Sequence, residues 1–355
     1  MMKYIYPGAT HIHTTYSDGT SSIKEVARAA KKAGLSWIII TDHNSLEGLH
    51  KGEEGWYDGV AVLIGEEISP DDSDHYLAFD IKQEISPNQP PAEYIKQVKE
   101  QGGIGFVAHP DESTERKSGH KSLRWTDWSL RGFDGIEIWN QLSDWADNYD
   151  PKQALHDFIW RNNILSGPSK AVLDWWDQLN RETSEIVPAI GGVDLHALIF
   201  KYFGVPVKVF PYLSTFKTVS NLLYLDEKLS TDFNEAKKQI LTAIKQGNSV
   251  VINRVWSKGL KYPLFYIENA EKRAFSGEKI KCDEYTKLLV KLPRKAAARV
   301  IFNGKPLLEC RTTKLELDKI VENDLKVKEE FEKKNINTVD FAKKLLGQIV
   351  FLYFL

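Results

Sequence analysis

One arrangement recurs along this chain and restricts its fold more than any other feature: an apolar, β-rich run with a histidine or a carboxylate at or near its end. YIYPGATHIH, WIIITDH, VAVLIGEEI, IGFVAHP, GFDGIEIWN and VPAIGGVDLH all have this form. Segments of helical spacing lie between them. Ser21-Ser22 opens IKEVARAAKKAG, which stops at Gly34; PAEYIKQVKEQGG and TDFNEAKKQILTAIKQGN follow, the last stopping at Gly247. Such alternation predicts βα units around a parallel, buried sheet. In a β/α barrel the carboxyl ends of the strands gather on one face. Groups scattered along the sequence would therefore meet in one cluster.

The groups concerned are His11, His13, Asp18, His43, Glu67, His75, His109, Asp194 and His196. His11 and His13 stand two apart, and in an extended strand such side chains share a side. Glu66 and Glu67 must point to opposite faces, and Glu67 is expected to be the inward one. Asp42 is expected to support the strand end, and Glu137 and Asn140 to line the pocket. Imidazole with carboxylate, and no thiolate nearby, suits Zn, Mn or Fe in an open site. Such ions acidify bound water and act as Lewis acids, as ester hydrolysis at neutral pH requires.

HIHTTYSDG, ITDHNSLEG, GEEIS, FVAHP and GGVDLHA, in that order, resemble the successive motifs of the PHP family, the polymerase and histidinol phosphatase domains. IEIWNQ, LDWWDQLN and PAIGGVDLHA resemble more narrowly its CehA/McbA-like branch of metal-dependent hydrolases, over roughly residues 5–260. The resemblance implies a distorted seven-stranded, TIM-like (β/α) barrel at 1–256 and a small β-rich domain at 257–320. It also implies two or three divalent ions. His11, His13, Glu67 and Asp194 would hold the first; Glu67, His75 and His109 the second; Asp18, His43 and His196 the third. Glu67, Asp194 and His196 are expected to act directly in catalysis.

The remaining composition fits a soluble hydrolase of this size. The chain has 355 residues, 42% hydrophobic and 27% charged, with 47 basic against 49 acidic side chains. A net charge of −2 gives no broad nucleic-acid surface. The N-terminus does not read as a secretory signal, and no apolar run reaches the ~20 residues that span a bilayer. Cys282 and Cys310 lack zinc-type spacing and read as free thiols, so the cytoplasm is the expected compartment. Residues 321–355, charged and then apolar in LLGQIVFLYFL, read as a helical C-terminal segment.

The expected activity is phosphoester hydrolysis by a metal-bridging hydroxide on a small phosphorylated substrate. Carboxyl-ester or carbamate hydrolysis is the alternative, and non-catalytic metal or nucleotide binding the reading from another class. For an anionic substrate, Arg116, Lys117, His120 and Lys170 are the expected contacts, with Lys121 and Arg124 nearby. Trp125, Trp128, Trp139, Trp145, Trp175 and Trp176 would wall the pocket or fill the core. His50 and His156 read as surface residues.

Overall fold

β1 (Tyr4–Ile12) leads through a tight turn to Ser22, which caps α1 (Ile23–Lys32). The Ser22 N–H donates to Glu25 Oε2 at 2.9 Å, giving the helix start a partner from its own first turn. Ile23, Val26, Ala27 and Ala30 form the buried face of α1. Gly34, at φ 77°, then returns the chain to β2 (Trp37–His43) alongside β1.

The computed structural model describes residues 3–202, 205–255, 262–281, 285–302 and 305–318. After β2 come α2 (Glu47–His50), β3 (Gly55–Tyr57), β4 (Val60–Ile68), β5 (Tyr76–Phe79), α3 (Pro91–Glu100), β6 (Ile104–Val107) and β7 (Gly135–Asn140). Next are α4 (Gln141–Asn148), α5 (Ala154–Ile159), α6 (Lys170–Glu182), β8 (Ala189–Leu195), β9 (Ile199–Tyr202), β10 (Val205–Lys208) and α7 (Tyr212–Thr215). β11 (Val219–Leu225), α8 (Phe233–Lys245) and β12 (Ser249–Asn253) follow.

Seven strands, β1, β2, β4, β5, β6, β7 and β8, close into a barrel, because β1 pairs with β2 on one side and β8 on the other. The sheet is mixed rather than parallel. β5 runs antiparallel to β4 and β6, and β11 and β12 extend the sheet from β1 by antiparallel pairing. The physical reason lies in the connection: residues 69–75 are too few for the crossover of a dozen or so residues that a parallel pair needs.

Strand parity sorts the barrel into layers. Trp37 and Ile39 of β2 pack with Ala61 and Leu63 of β4, Leu77, Phe106 and Ile190 in one apolar cluster. Ile240, Leu241 and Ile244 of α8 join it. Two and four residues further on, the same faces of β2 and β4 carry Thr41 and His43, and Gly65 and Glu67, so chemistry sits directly on an apolar floor. The opposite faces, with Ile38, Ile40, Val62 and Ile64, pack with the buried face of α1.

Glu66 falls on that opposite face. It is fully buried and accepts the Ile85 N–H at 3.0 Å. Burial pushes its carboxyl up to about 8, against 4.5 in an unfolded chain, with the Ile85 amide opposing. The folded state thus binds a proton that the unfolded chain releases near pH 4.5. The resulting stabilisation is present below that pH and is lost as pH rises through about 8. Glu66→Gln, which copies the neutral acid, is expected to flatten stability over this window. Urea unfolding at pH 5, 7 and 9 checks it; a pH slope equal to wild type would refute the burial argument.

β13 (Leu264–Glu268), β14 (Arg273–Ala274), β15 (Lys287–Phe302) and β16 (Lys305–Asp318) form a separate antiparallel sheet in the order β14-β13-β15-β16. Phe265, Ile267, Leu288 and Val290 of this sheet pack against Leu222, Tyr224, Val250 and Ile252 of β11 and β12. The expected C-terminal helix, residues 321–355, and Cys282 lie outside the described residues. Among the described residues, no helix is long and apolar enough to cross a membrane.

Candidate metal centre

All nine candidate ligands meet at one rim of the barrel. Glu67 is the centre of the group. Its Oε2 lies 3.2 Å from His11 Nε2, 3.4 Å from His13 Nε2 and 2.9 Å from His43 Nδ1. Its Oε1 lies 2.8 Å from His75 Nδ1 and 3.3 Å from His109 Nε2. Asp194 Oδ1 stands 3.5 Å from His11 Nε2, 3.4 Å from His13 Nε2 and 3.5 Å from His196 Nδ1. Asp18 Oδ1 stands 3.2 Å from His196 Nε2 and 3.7 Å from His43 Nε2. The Asp18 side chain is 56% exposed and His43 27%, so they mark the open edge; the others are nearly or wholly buried.

His11 and His13 converge by a route that strand alternation does not describe. His13 lies beyond the end of β1, and His11 has a φ of 63°. Opposite them, β8 is bulged: Thr10 pairs with Gly192 and Ile12 with Leu195, leaving an extra residue on β8. Asp194, at the bulge, has a φ of 49°, and His109 has a φ of 26°. Left-handed backbone is costly for such residues and is held only where surrounding structure dictates it. Here the barrel closure does so.

Behind the ligands stands a set of supports. Asp42 accepts the Thr14 N–H at 2.6 Å, the Thr14 hydroxyl at 2.7 Å and the Ser17 hydroxyl at 2.6 Å, fixing the turn that presents Asp18. Glu137 Oε1 faces His11 Nδ1 at 2.9 Å, and its Oε2 accepts the His109 N–H at 2.8 Å. Asn140 Nδ2 donates to Glu137 Oε2 at 3.0 Å and to Asp194 Oδ2 at 3.3 Å. Three supports had escaped the sequence reading. Ser69 Oγ lies 2.7 Å from His43 Nδ1, the Tyr212 hydroxyl donates to the His13 carbonyl at 2.8 Å, and Glu112 Oε1 lies 3.6 Å from His109 Nδ1. Nothing in a one-dimensional pattern distinguishes these from other serines, tyrosines and glutamates.

The expected substrate contacts are placed differently. Arg116 is bound by Asp147 at 2.6 Å and Glu112 at 3.2 Å, with its side chain only 7% exposed. Through Glu112, which also faces His109 Nδ1, it is linked to the cluster. Lys117 pairs with Asp150 at 3.1 Å, Lys121 with Asp72, and Lys170 with Asp174 one helical turn along α6. His120 is exposed, and its backbone N–H donates to Ser118 Oγ at 3.4 Å. The loop therefore brings none of these cations directly onto Glu67. Trp125, Trp139, Trp145, Trp175 and Trp176 are buried and belong to the core, with Trp128 packed beside it.

Electrostatics in the cluster are a contest between burial and paired charge. Burial disfavours the ionised form of His43 and His109, yet the carboxylates more than offset it and raise both to about 9, chiefly Glu67 at His43 and Glu112 at His109. His13, by contrast, is pushed down to about 3 by burial together with His196 and His43. Burial also opposes charge on Glu67, but His11, His43 and His75 hold it well below the usual carboxylate range.

The donors fit divalent ions. His11 Nε2, both ring nitrogens of His13, Glu67 Oε2 and His109 Nδ1 are buried without hydrogen-bond geometry to any neighbour, although neighbours lie within 3–4 Å. Buried polar atoms are ordinarily satisfied, so the orphans on His11, His13 and Glu67, which face one another, indicate donors grouped for a shared partner, while His109 Nδ1 faces Glu112 instead. Ligands about 2.0–2.2 Å from an ion stand roughly 3–3.5 Å from one another, as here. Four sets have ligand atoms mutually within 4.8 Å: His13, Asp18, His43 and His196; His11, His109 and Asp194; His11, His13 and Glu67; His43, Glu67 and His75.

A seven-strand barrel thus carries at its rim a cluster of side chains that could hold metal ions. The PHP domain family model matches residues 9–108, and the chain belongs to that family. It is 31% identical over 180 residues to the uncharacterized protein MJ1587 of Methanocaldococcus jannaschii, an alignment covering 47% of this chain and 96% of that protein. Among solved structures it is similar to a two-domain protein from Bacteroides vulgatus described as containing a predicted PHP-like metal-dependent phosphoesterase. The TM-score there is 0.42 at 13% identity, covering 89% of this chain and 84% of that one. It is also similar to PsfC from Pseudomonas syringae, with a TM-score of 0.45 at 13% identity over 72% of this chain and 94% of that one.

Proposed function

We propose that this protein is a metal-dependent phosphoesterase of the CehA/McbA-like branch. The observation that carries the reading is Glu67, a buried carboxylate with five imidazoles within 3.4 Å. One counter-charge would suffice to stabilise a buried carboxylate; five imidazoles converging on it, His11 and His13 with ring nitrogens left unsatisfied, make a ligand set. His11, His13, Glu67 and Asp194 would hold one ion, Glu67, His75 and His109 a second, and Asp18, His43 and His196 a third, with His13 also within reach of the last. Bound divalent ions would supply Lewis acidity and lower the pKa of a coordinated water to about 7.

The chain's own groups do the rest. Glu67 stays ionised and draws five imidazoles, from four segments of the chain, to one point. Asp194 balances charge at His11, His13 and His196, while Asp18 and His43 form the edge through which an ester enters. A second reading, hydrolysis of a neutral carboxyl ester or carbamate, is supported by one specific observation: Arg116 and Lys117 are each engaged by acidic partners.

Chelation is expected to abolish hydrolysis, and Mn, Zn or Fe to restore it, in a panel of phosphomonoesters, phosphodiesters and carboxyl esters. Undiminished turnover in metal-free protein would overturn the metal mechanism. Restored activity confined to carboxyl esters would establish the second reading.

A further inference from the structure

We infer that Glu137 is a positioning residue that sets two ligand-bearing segments of the metal centre at once, and that Gly192 is glycine in order to admit it. The inference rests on the metal-centre reading above. Glu137 is fully buried on β7 and its two oxygens face different strands. Oε1 accepts from His11 Nδ1 at 2.9 Å, and His11 Nε2, one of the orphaned atoms, faces Glu67 at 3.2 Å and Asp194 at 3.5 Å. Oε2 accepts the backbone N–H of His109 at 2.8 Å and the Asn140 amide at 3.0 Å. A histidine ligand commonly has its second nitrogen fixed by a carboxylate in this way, and that contact sets tautomer and ring orientation. Here one carboxylate also fixes the backbone of a second candidate ligand.

Gly192 of β8 supplies an independent observation. A Cβ on this residue would fall on Glu137 Oε1 and lie 2.9 Å from the His11 Cβ. Gly192 has no left-handed φ to explain it. Its requirement is space, and the group occupying that space is the Glu137 carboxylate. β8 thus carries two linked features near its end: a gap at Gly192 that seats the brace of His11 and, two positions later, Asp194 itself.

Gly192→Ala should therefore mimic loss of Glu137 while changing no polar group. Binding of Zn and Mn, each alone, is measured by competition with a chromophoric chelator, with folding of the metal-free proteins followed by circular dichroism. Glu137→Gln, Glu137→Ala and Gly192→Ala are each expected to weaken binding of at least one ion by about 10–100-fold with the fold intact. Nitrogen-15 NMR should show the His11 Nδ1–H tautomer in wild type and its loss in Glu137→Ala.

Wild-type affinity in both Glu137 variants would overturn the inference, as would failure of both to fold, which would make Glu137 a scaffold group. If Gly192→Ala alone fails to fold, the two Glu137 variants decide. A wild-type protein that binds neither ion would instead overturn the metal-centre reading itself.

Discussion

Glu67→Gln is expected to lower metal content and to reduce turnover on the order of 10²–10³-fold, the scale of losing one preorganised electrostatic contact in a site of this kind. Glutamine keeps the size of the side chain but removes its charge and one of two acceptor atoms. Both oxygens of Glu67 are engaged, Oε2 toward His11, His13 and His43 and Oε1 toward His75 and His109, so no orientation of an amide serves both sets. Glu66→Gln supplies the matched comparison. Its carboxyl faces Ile85 on the other side of β4, and metal content and turnover near pH 7 should remain close to wild type. Metal analysis and steady-state kinetics on the pair check this; a larger loss from Glu66→Gln than from Glu67→Gln would overturn the assignment of the inward carboxylate.

Trp37→Ala is expected to cost about 3–5 kcal/mol of stability, the range for removing a large buried aromatic side chain. Trp37 has no exposed surface and lies in the apolar layer beneath the metal centre, against residues of β4 and α8. Its indole N–H donates to the Tyr6 carbonyl at 3.1 Å, and its ring lies where a Gly8 side chain would be. Substitution leaves a cavity that the closed barrel cannot collapse to fill, and an acceptor without its donor. Equilibrium urea unfolding measures the loss; a change below about 1 kcal/mol would show that this layer relaxes freely.

Much of the site was legible because its residues lie on strands whose inward face repeats every second position. That period puts Glu66 and Glu67 on opposite faces, where the GxE pattern favours Glu67, and puts His43 above Trp37, Ile39 and Thr41 without any knowledge of the neighbours. The same logic misdescribed His11 and His13, whose convergence depends on a left-handed φ and on a bulge in a strand some 180 residues away. Nor does it show the acidic partners of Arg116 and Lys117. A cation close in sequence to His109 looks available until the fold brings up Asp147 and Asp150.

The sequence by itself determined which residues can hold a metal and which strand end carries each, because donor chemistry and side-chain alternation are properties of short segments. The tertiary structure alone decided the strained turns at His11, His109 and Asp194, and the brace that Glu137 makes across the space at Gly192. These depend on the closure of seven strands into one ring. Closure fixes separations between residues distant in the chain, and no local propensity encodes them.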